Sequence, residues 1–374
     1  MMTRLLIIAD DLTGANDTGV QFSRLGISTL VSISFENPVC EFAGKCEVLV
    51  VNTESRHVSS TEAFDRVFKI AKQGIALGIP KFYKKTDSTL RGNIGSEFAA
   101  MLAATNEQAL FFAPAYPKMK RISKEGKLFV DGVPLHQTSM ADDLLNPISD
   151  SYIPNILARQ TKTEVEIFDE KIQASSEPKI YILDAERDEE LQLLANRIAP
   201  SEKLLAGSAG WAACLPQALH FKTTEILPER LFAPMLIVNG SLHEVSLHQI
   251  AFAETQGIPV VNINSENVVA SVLQKFATST KVILTTDRTS ENLCAAEKLA
   301  EDVRQILERS EVKTLVVFGG DTLAAIAQTL HWRAFRPCYE IFDGIPVVEI
   351  CEVERFKLVT KAGAFGAEDL LMKL

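Results

Sequence analysis

The sequence predicts an α/β fold in two domains, each a mainly parallel sheet flanked by helices. Three observations carry this expectation. Short runs rich in Val, Ile and Leu recur along the whole chain, and most are continuous, not alternating, as strands buried on both faces of a parallel sheet are. Helical patterns separate them, which is the rhythm of βαβ units. The 374 residues exceed the roughly 100–200 that one domain usually takes. The stretch FKTTEILPERLFAP, with Pro228 and Pro234 bracketing charged residues, reads as a linker. The predicted domains are 1–230 and 231–374.

In chain order, LLIIAD is the first strand, followed by a helix from near Gly14. STLVSIS and EVLVVN are the next strands, then an amphipathic helix over 59–77. PKFY is a strand that ends before Lys84, with a helix over 93–104 and the strand ALFFAPA after it. Between Pro117 and Pro178 the alternation stops. This polar stretch contains KLFVDGVPL, where an Asp-Gly pair between apolar triplets predicts a β-hairpin. An excursion this long in a compact domain is usually functional. KIYILDA and a helix over 188–198 close the first domain. The second runs MLIVNG, PVVNIN, KVILTT, a helix over 290–307, TLVVFGG, a helix over 322–330 and PVVEI.

Hydrophobic residues make up 47% and charged residues 23% of the chain, which excludes disordered and low-complexity classes. The net charge of −10 argues against nucleic acid or an anionic membrane as main partner, while leaving room for a small anion in a locally basic cleft. The apolar run at the N-terminus, Leu5 to Ala9, is too short for a signal-peptide core. No segment approaches the roughly 18 apolar residues of a membrane span. Six scattered cysteines without CxxC spacing predict reduced thiols in a cytoplasmic protein, and His243 and His248 are poorly spaced for a zinc site.

Chemistry concentrates at predicted strand ends, where parallel sheets bind ligands. The first strand ends in Asp10-Asp11-Leu12-Thr13-Gly14. Adjacent carboxylates repel and are costly to bury; capping by Asp11 or Thr13 accounts for one of them only. The fourth strand is followed by Lys84-Lys85-Thr86-Asp87-Ser88-Thr89-Leu90-Arg91-Gly92. Three cations suit a carboxylate, and hydroxyls with an Asp suit sugar OH groups. Arg56, after EVLVVN, is a further strand-end cation. In the second half, TLVVFGG runs into Asp321-Thr322, read as two glycines ahead of an Asp-capped helix, a phosphate-binding arrangement. It is neither a Walker loop nor GxGxxG. Gly240-Ser241 in VNGSLHE, and Lys361, Gly363 and Gly366 in TKAGAFG, add two more glycine-bearing strand ends. Together they read as a nucleotide cradle.

These motifs resemble the four-carbon acid sugar kinases. The resemblance covers nearly the whole chain. It rests on IADDLTGA, Arg56, YKKTDSTLRGNIGSE, APAYP, GKLFVDGVPLHQTSMADDLLNPI, LAGSAGWA, NGSLHEVSLHQI, FGGDT and TKAGAFG. KKTDSTLRGN and HQTSMADDLLNPI are the specific ones. Where the family usually reads KSGGFG this chain has Ala362 and Ala364, and Thr86 stands where a branched apolar residue is common. The resemblance implies ATP-dependent phosphorylation of the terminal hydroxyl of threonate, erythronate or 3-oxo-tetronate, across a cleft between a sugar-acid domain and a nucleotide domain. The HQTSMADDLLNPI stretch leans the expectation towards D-threonate. It also implies an acid-sugar site at Asp11, Arg56, Lys84, Lys85, Thr86 and Asp87, with Ser88 and Arg91 close by, and an ATP site at Ser241, Gly319, Gly320, Asp321, Thr322 and Gly363.

Phosphoryl transfer needs positioning and charge neutralisation. Arg56 with Lys85 or Arg91 is expected to anchor the substrate carboxylate. Asp87 or Asp11 is expected to orient the hydroxyl and take its proton; the residues alone do not choose between them. Mg²⁺ is expected with the ATP phosphates, and a homodimer is allowed. A nucleotide-linked dehydrogenase and a non-catalytic sugar-acid sensor are the competing readings.

Overall fold

The computed structural model describes residues 1–33, 37–138, 140, 147–169, 177–286 and 295–374. Contacts divide the chain into two units, Met1–Glu225 and Ile226–Leu374.

In the first unit the elements run β1 (Leu5–Ala9), α1 (Leu12–Ser23), β2 (Thr29–Ser32), α2 (Pro38–Phe42), β3 (Val48–Asn52), α3 (Ser60–Ala76), β4 (Lys81–Lys85), α4 (Ile94–Thr105) and β5 (Ala109–Ala113). There follow β6 (Arg121–Lys124), β7 (Lys127–Val130), β8 (Val133–Pro134), α5 (Ile153–Ala158), β9 (Glu164–Ile167), β10 (Lys179–Ile182), α6 (Asp188–Ile198), β11 (Leu204–Gly207), α7 (Ala209–Ala212) and α8 (Leu215–Ala218). The main strands pair in the order β2-β3-β1-β4-β11-β5-β10-β9, every pair parallel. β1 is buried at all five positions, which is why its sequence is a continuous apolar run and does not alternate. Strand order reverses direction between β1 and β4, the switch point outside which doubly wound sheets bind ligands.

α3 shows how the helices form. Ser59 caps it by accepting from the Glu62 N–H at 3.2 Å. Its buried residues Ala63, Val67, Ile70, Ala71 and Gly74 recur every three or four positions, the stripe of a helix lying on a sheet. Gly74 is required there: a Cβ would sit 2.7 Å from both Leu6 and Phe82 on the sheet beneath. The stretch 117–178, expected to be irregular, instead holds a small antiparallel sheet, β6-β7-β8. Its expected hairpin is present: Val130 faces Val133, and Asp131 and Gly132 both have φ near +50 to +80°, as a type I′ turn demands. Most of HQTSMADDLLNPI lies outside the described residues.

The second unit runs β12 (Met235–Asn239), α9 (Glu244–Thr255), β13 (Val260–Asn262), α10 (Val268–Phe276), β14 (Lys281–Thr285), α11 (Ala295–Arg309), β15 (Thr314–Phe318), α12 (Gly320–Thr329), β16 (Ala334–Phe342), β17 (Ile345–Ile350), β18 (Val353–Lys361) and α13 (Leu370–Lys373). Its strands are ordered β13-β14-β12-β15-β18-β17-β16. The first five are parallel, and the last two join β18 as an antiparallel meander. The residues before 295 in the helix expected over 290–307 lie outside the described ones. No helix among the described residues is long and apolar enough to cross a membrane.

Candidate active site

Three loops leave the C-terminal ends of β1, β3 and β4, side by side in the first unit. Arg56 ties them together. Its Nε donates to Asp10 at 2.7 Å and an Nη to Asp11 at 2.9 Å; its other Nη lies 3.6 Å from Asp87. Its side chain is 10% exposed. Burial opposes its charge, but the three carboxylates hold its pKa well above the usual arginine value. The adjacent carboxylates at the end of β1 are stable because this guanidinium lies between them.

Asp87 is the most heavily bonded carboxylate. Its Oδ1 accepts from the Thr89 N–H at 2.9 Å and the Thr89 hydroxyl at 2.5 Å, and Arg91 grips it through Nε at 3.1 Å and an Nη at 2.8 Å. Burial would raise its pKa, yet Arg91 and Arg56 hold it well below the carboxylate range. The tight turn that makes this possible uses left-handed backbone at Leu90 and Gly92, φ 63 and 89°. A Cβ on Gly92 would press within 3.2 Å of the Arg56 stem. Asp11 is less engaged. It caps α1 by accepting from the Gly14 N–H at 2.8 Å and keeps one oxygen on Arg56. The helix begins at Leu12, ahead of the expected Gly14, because this cap lies further upstream.

Asp10 is 2% exposed, and its Oδ1 is buried without a hydrogen-bond partner. Burial opposes its ionisation, but Arg56, Lys84 and Lys85 keep its pKa below normal. The Lys85 Nζ donates to the Thr86 carbonyl at 2.7 Å. It lies over Gly14, where a Cβ would come within 2.9 Å of that Nζ and 2.5 Å of Asp11 Oδ1. Gly14 is the gap through which Lys85 reaches the end of β1.

Lys84 goes elsewhere. β4 extends through Lys85 rather than ending at Tyr83, and alternation turns Lys84 into the core. It is fully buried and pairs with Glu97 of α4 at 3.0 Å. Glu97 also accepts from the Ser55 hydroxyl, and burial pushes its pKa up despite Lys84. Its charge is thus balanced within the first unit by Glu97. Thr86 is likewise buried, its hydroxyl unpartnered, while its N–H extends the sheet to Gly207 at 2.9 Å. Ser88 is partly exposed.

Beside this cluster opens a cleft of about 420 Å³ whose lining includes Arg56, Arg91, Asn93, Ser149, Arg159 and Gln160. Gln160 fixes its floor, accepting from the Gly95 N–H at 2.7 Å and donating to the Gly92 carbonyl at 2.8 Å. Sequence reasoning missed Arg159, Gln160 and Glu97. A lone carboxylate in the apolar helix IGSEFAAMLAAT was the one available signal for Glu97.

In the second unit, the ends of the adjacent strands β12, β15 and β18 bring the three glycine loops together. The Gly240 N–H donates to the Phe318 carbonyl at 3.2 Å, and the Gly319 N–H to the Lys361 carbonyl at 3.0 Å. The packing admits no side chain: a Cβ on Gly240 would be 1.9 Å from the Thr322 hydroxyl, and one on Gly363 would be 2.4 Å from the Ser241 hydroxyl. Ser241, Gly319, Thr322 and Gly363 are therefore neighbours. The expected Asp321 cap is corrected. The helix starts at Gly320 with Gly319 at the cap position, φ 102°, a value that only glycine adopts readily. Asp321 sits exposed in the first turn.

A family model for a sugar-binding N-terminal domain matches residues 5–215, and one for a nucleotide-binding C-terminal domain matches residues 236–371. A D-threonate kinase of Salmonella typhimurium is 32% identical, over 98% of this chain and 96% of its own. A 3-oxo-tetronate kinase of Cupriavidus necator is 27% identical, over 97% of this chain and 94% of its own. A solved structure from Salmonella typhimurium LT2 has the same fold, with a TM-score of 0.79 at 22% identity over 99% of this chain and 98% of that one. With the first model alone spanning more than half of its residues, the chain belongs to the four-carbon acid sugar kinase family.

Proposed function

We propose that this protein transfers the γ-phosphoryl group of ATP to the terminal 4-hydroxyl of a four-carbon sugar acid in the cytoplasm, with D-threonate the preferred acid. The observation that carries this reading is the Arg56 knot at the switch point, opening on a cleft with two further guanidinium groups. The Salmonella and Cupriavidus relatives support the reaction class, and the higher identity to the D-threonate kinase supports that acid over 3-oxo-tetronate.

Arg56 has all three nitrogens turned to carboxylates, so it organises the site more than it anchors the substrate. Arg91, its side chain 30% exposed, and Arg159 on the cleft wall are better disposed to take the acid's carboxylate as a bidentate pair. Asn93, Gln160 and Ser88 offer partners for the hydroxyls. Asp87 is held too far below the carboxylate range and is too heavily bonded to be an effective base. Asp11, with less competition for its oxygens, is the group that would orient the 4-hydroxyl and accept its proton as the oxygen bonds to phosphorus. Mg²⁺ would arrive on the ATP phosphates and neutralise part of their charge. Ser241, Gly319, Gly320, Asp321, Thr322 and Gly363 would cradle those phosphates with backbone N–H groups and the start of α12.

The test is ADP release with D-threonate, D-erythronate and 3-oxo-tetronate, in wild type, Asp11→Asn and Asp87→Asn. D-threonate should give the highest kcat/KM. Asp11→Asn should lower kcat by about 10²–10⁴-fold, the usual worth of a general base, and Asp87→Asn should mainly raise the acid's KM. Wild-type turnover in Asp11→Asn, or no acid-dependent ADP release by wild type, defeats the reading.

A further inference from the structure

Lys361 ends β18 under the glycine loops and is fully buried. No carboxylate pairs with it among the described residues. Its Nζ donates to the Ser246 hydroxyl of α9 at 3.1 Å and to the carbonyls of Ala362 and Gly363, each at 3.0 Å. It also lies 4.3 Å from the centre of the Phe318 ring at the end of β15, within cation–π range. Ser246 completes the stitch by donating its own hydroxyl to the Gly363 carbonyl at 2.9 Å. One ammonium thus gathers the ends of two strands and a helix around the loop that touches Ser241.

A buried charge without a counter-charge is expensive, and methionine would fill this space at lower cost. Burial alone drags the Lys361 pKa from 10.5 to about 7. A lysine kept in such a place needs a reason other than stability. The one anion that the reading above brings here is the nucleotide's phosphate chain.

We propose that Lys361 is a positioning residue for the nucleotide: it latches the Gly363 loop to α9 and lends the phosphate seat a positive charge from beneath. This rests on the nucleotide reading of the glycine loops. Stability and nucleotide affinity should therefore respond to the side chain in opposite directions.

The test measures ADP binding by calorimetry, the melting temperature of the ligand-free protein and the KM for D-threonate, in wild type, Lys361→Met and Ser246→Ala. Lys361→Met should raise the ADP Kd about tenfold or more, the worth of a charge-assisted hydrogen bond. Its melting temperature should equal or exceed that of wild type, and its acid KM should stay within about twofold. Ser246→Ala removes one acceptor and one donor of the latch and should raise the ADP Kd about threefold. A folded Lys361→Met with wild-type ADP affinity overturns the assignment, as does a lowered melting temperature with unchanged affinity, the signature of a merely structural lysine. Should Lys361→Met not fold, unchanged ADP affinity in Ser246→Ala overturns it. Wild type that fails to bind ADP at all defeats the nucleotide reading as well.

Discussion

Removing Lys84 should strand a carboxylate in the core of the first unit. In Lys84→Met the alkyl stem is replaced, but Glu97, 1% exposed, loses its ion partner at 3.0 Å. Breaking a buried pair from one side costs about 3–5 kcal/mol. The structure sets a ceiling on that cost, because Glu97 can escape by taking a proton. Its pKa is already pushed above the ordinary 4.5 by burial. Protonating a group of intrinsic pKa 4.5 at pH 7 costs at most about 3.4 kcal/mol, at 1.36 kcal/mol per pH unit, and the same step at pH 5 costs under about 1 kcal/mol. The native variant then binds a proton that the unfolded chain does not, so its stability rises as pH falls from 7 towards 4.5. We expect a loss of about 3 kcal/mol at pH 7, or roughly 6–12 °C in melting temperature for a unit of this size, shrinking by more than half at pH 5. The chain has two tryptophans, Trp211 and Trp332. In a Trp332→Phe background, Trp211 emission during urea unfolding reports the first unit alone. The double variant Lys84→Met/Glu97→Gln should recover most of the loss. A loss under about 1 kcal/mol at pH 7, or an equal loss at pH 5, would refute the claim that Lys84 serves as an internal counter-ion.

That same lysine marks how far the sequence could be read. The parallel sheets were legible because strands such as LLIIA and TLVVF are buried on both faces and so are apolar along nearly their whole length. β11, the four residues LLAG, was not legible: too short to show a pattern, it is held by its neighbours, with Gly207 in a space where a Cβ would meet the Ala113 carbonyl at 2.3 Å. Of the meander, β17 was legible in PVVEI, whereas β16 and β18 were missed because Pro337 and the charges of FRPCYE and VERFK interrupt their apolar pattern. Proximity to strand ends anticipated that Asp11, Arg56, Asp87 and Arg91 lie together, as their ion pairs show. What residue type could not disclose was direction. Lys84 and Lys85 look equivalent as letters, yet the two-residue period of β4 sends one to Glu97 and the other over Gly14. Nor does the sequence around Arg56 show that three carboxylates from two other loops, Asp10, Asp11 and Asp87, surround its guanidinium. Partners so distant in sequence leave no local trace.

Two further outcomes follow from the geometry. Arg159→Ala, which removes a cleft-wall guanidinium whose protein partners are Ser149 at 2.7 Å and Asp150 at 3.6 Å, should raise the acid KM about tenfold or more and leave the ATP KM unchanged; initial-rate kinetics in each substrate decide it, and an unchanged acid KM would take Arg159 out of the site. For Lys361 the pH dependence has a definite sign. Its pKa is near 10.5 unfolded and about 7 folded, so between those values the unfolded chain holds the extra proton and this lysine's penalty on stability fades as pH rises. Lys361→Met should therefore be more stable than wild type by a few kcal/mol at pH 6, the gap closing towards pH 10, as read from urea midpoints across that range. A constant gap would mean that the ammonium is hydrated or paired in the folded protein, and that its buried charge is not held in reserve for a phosphate.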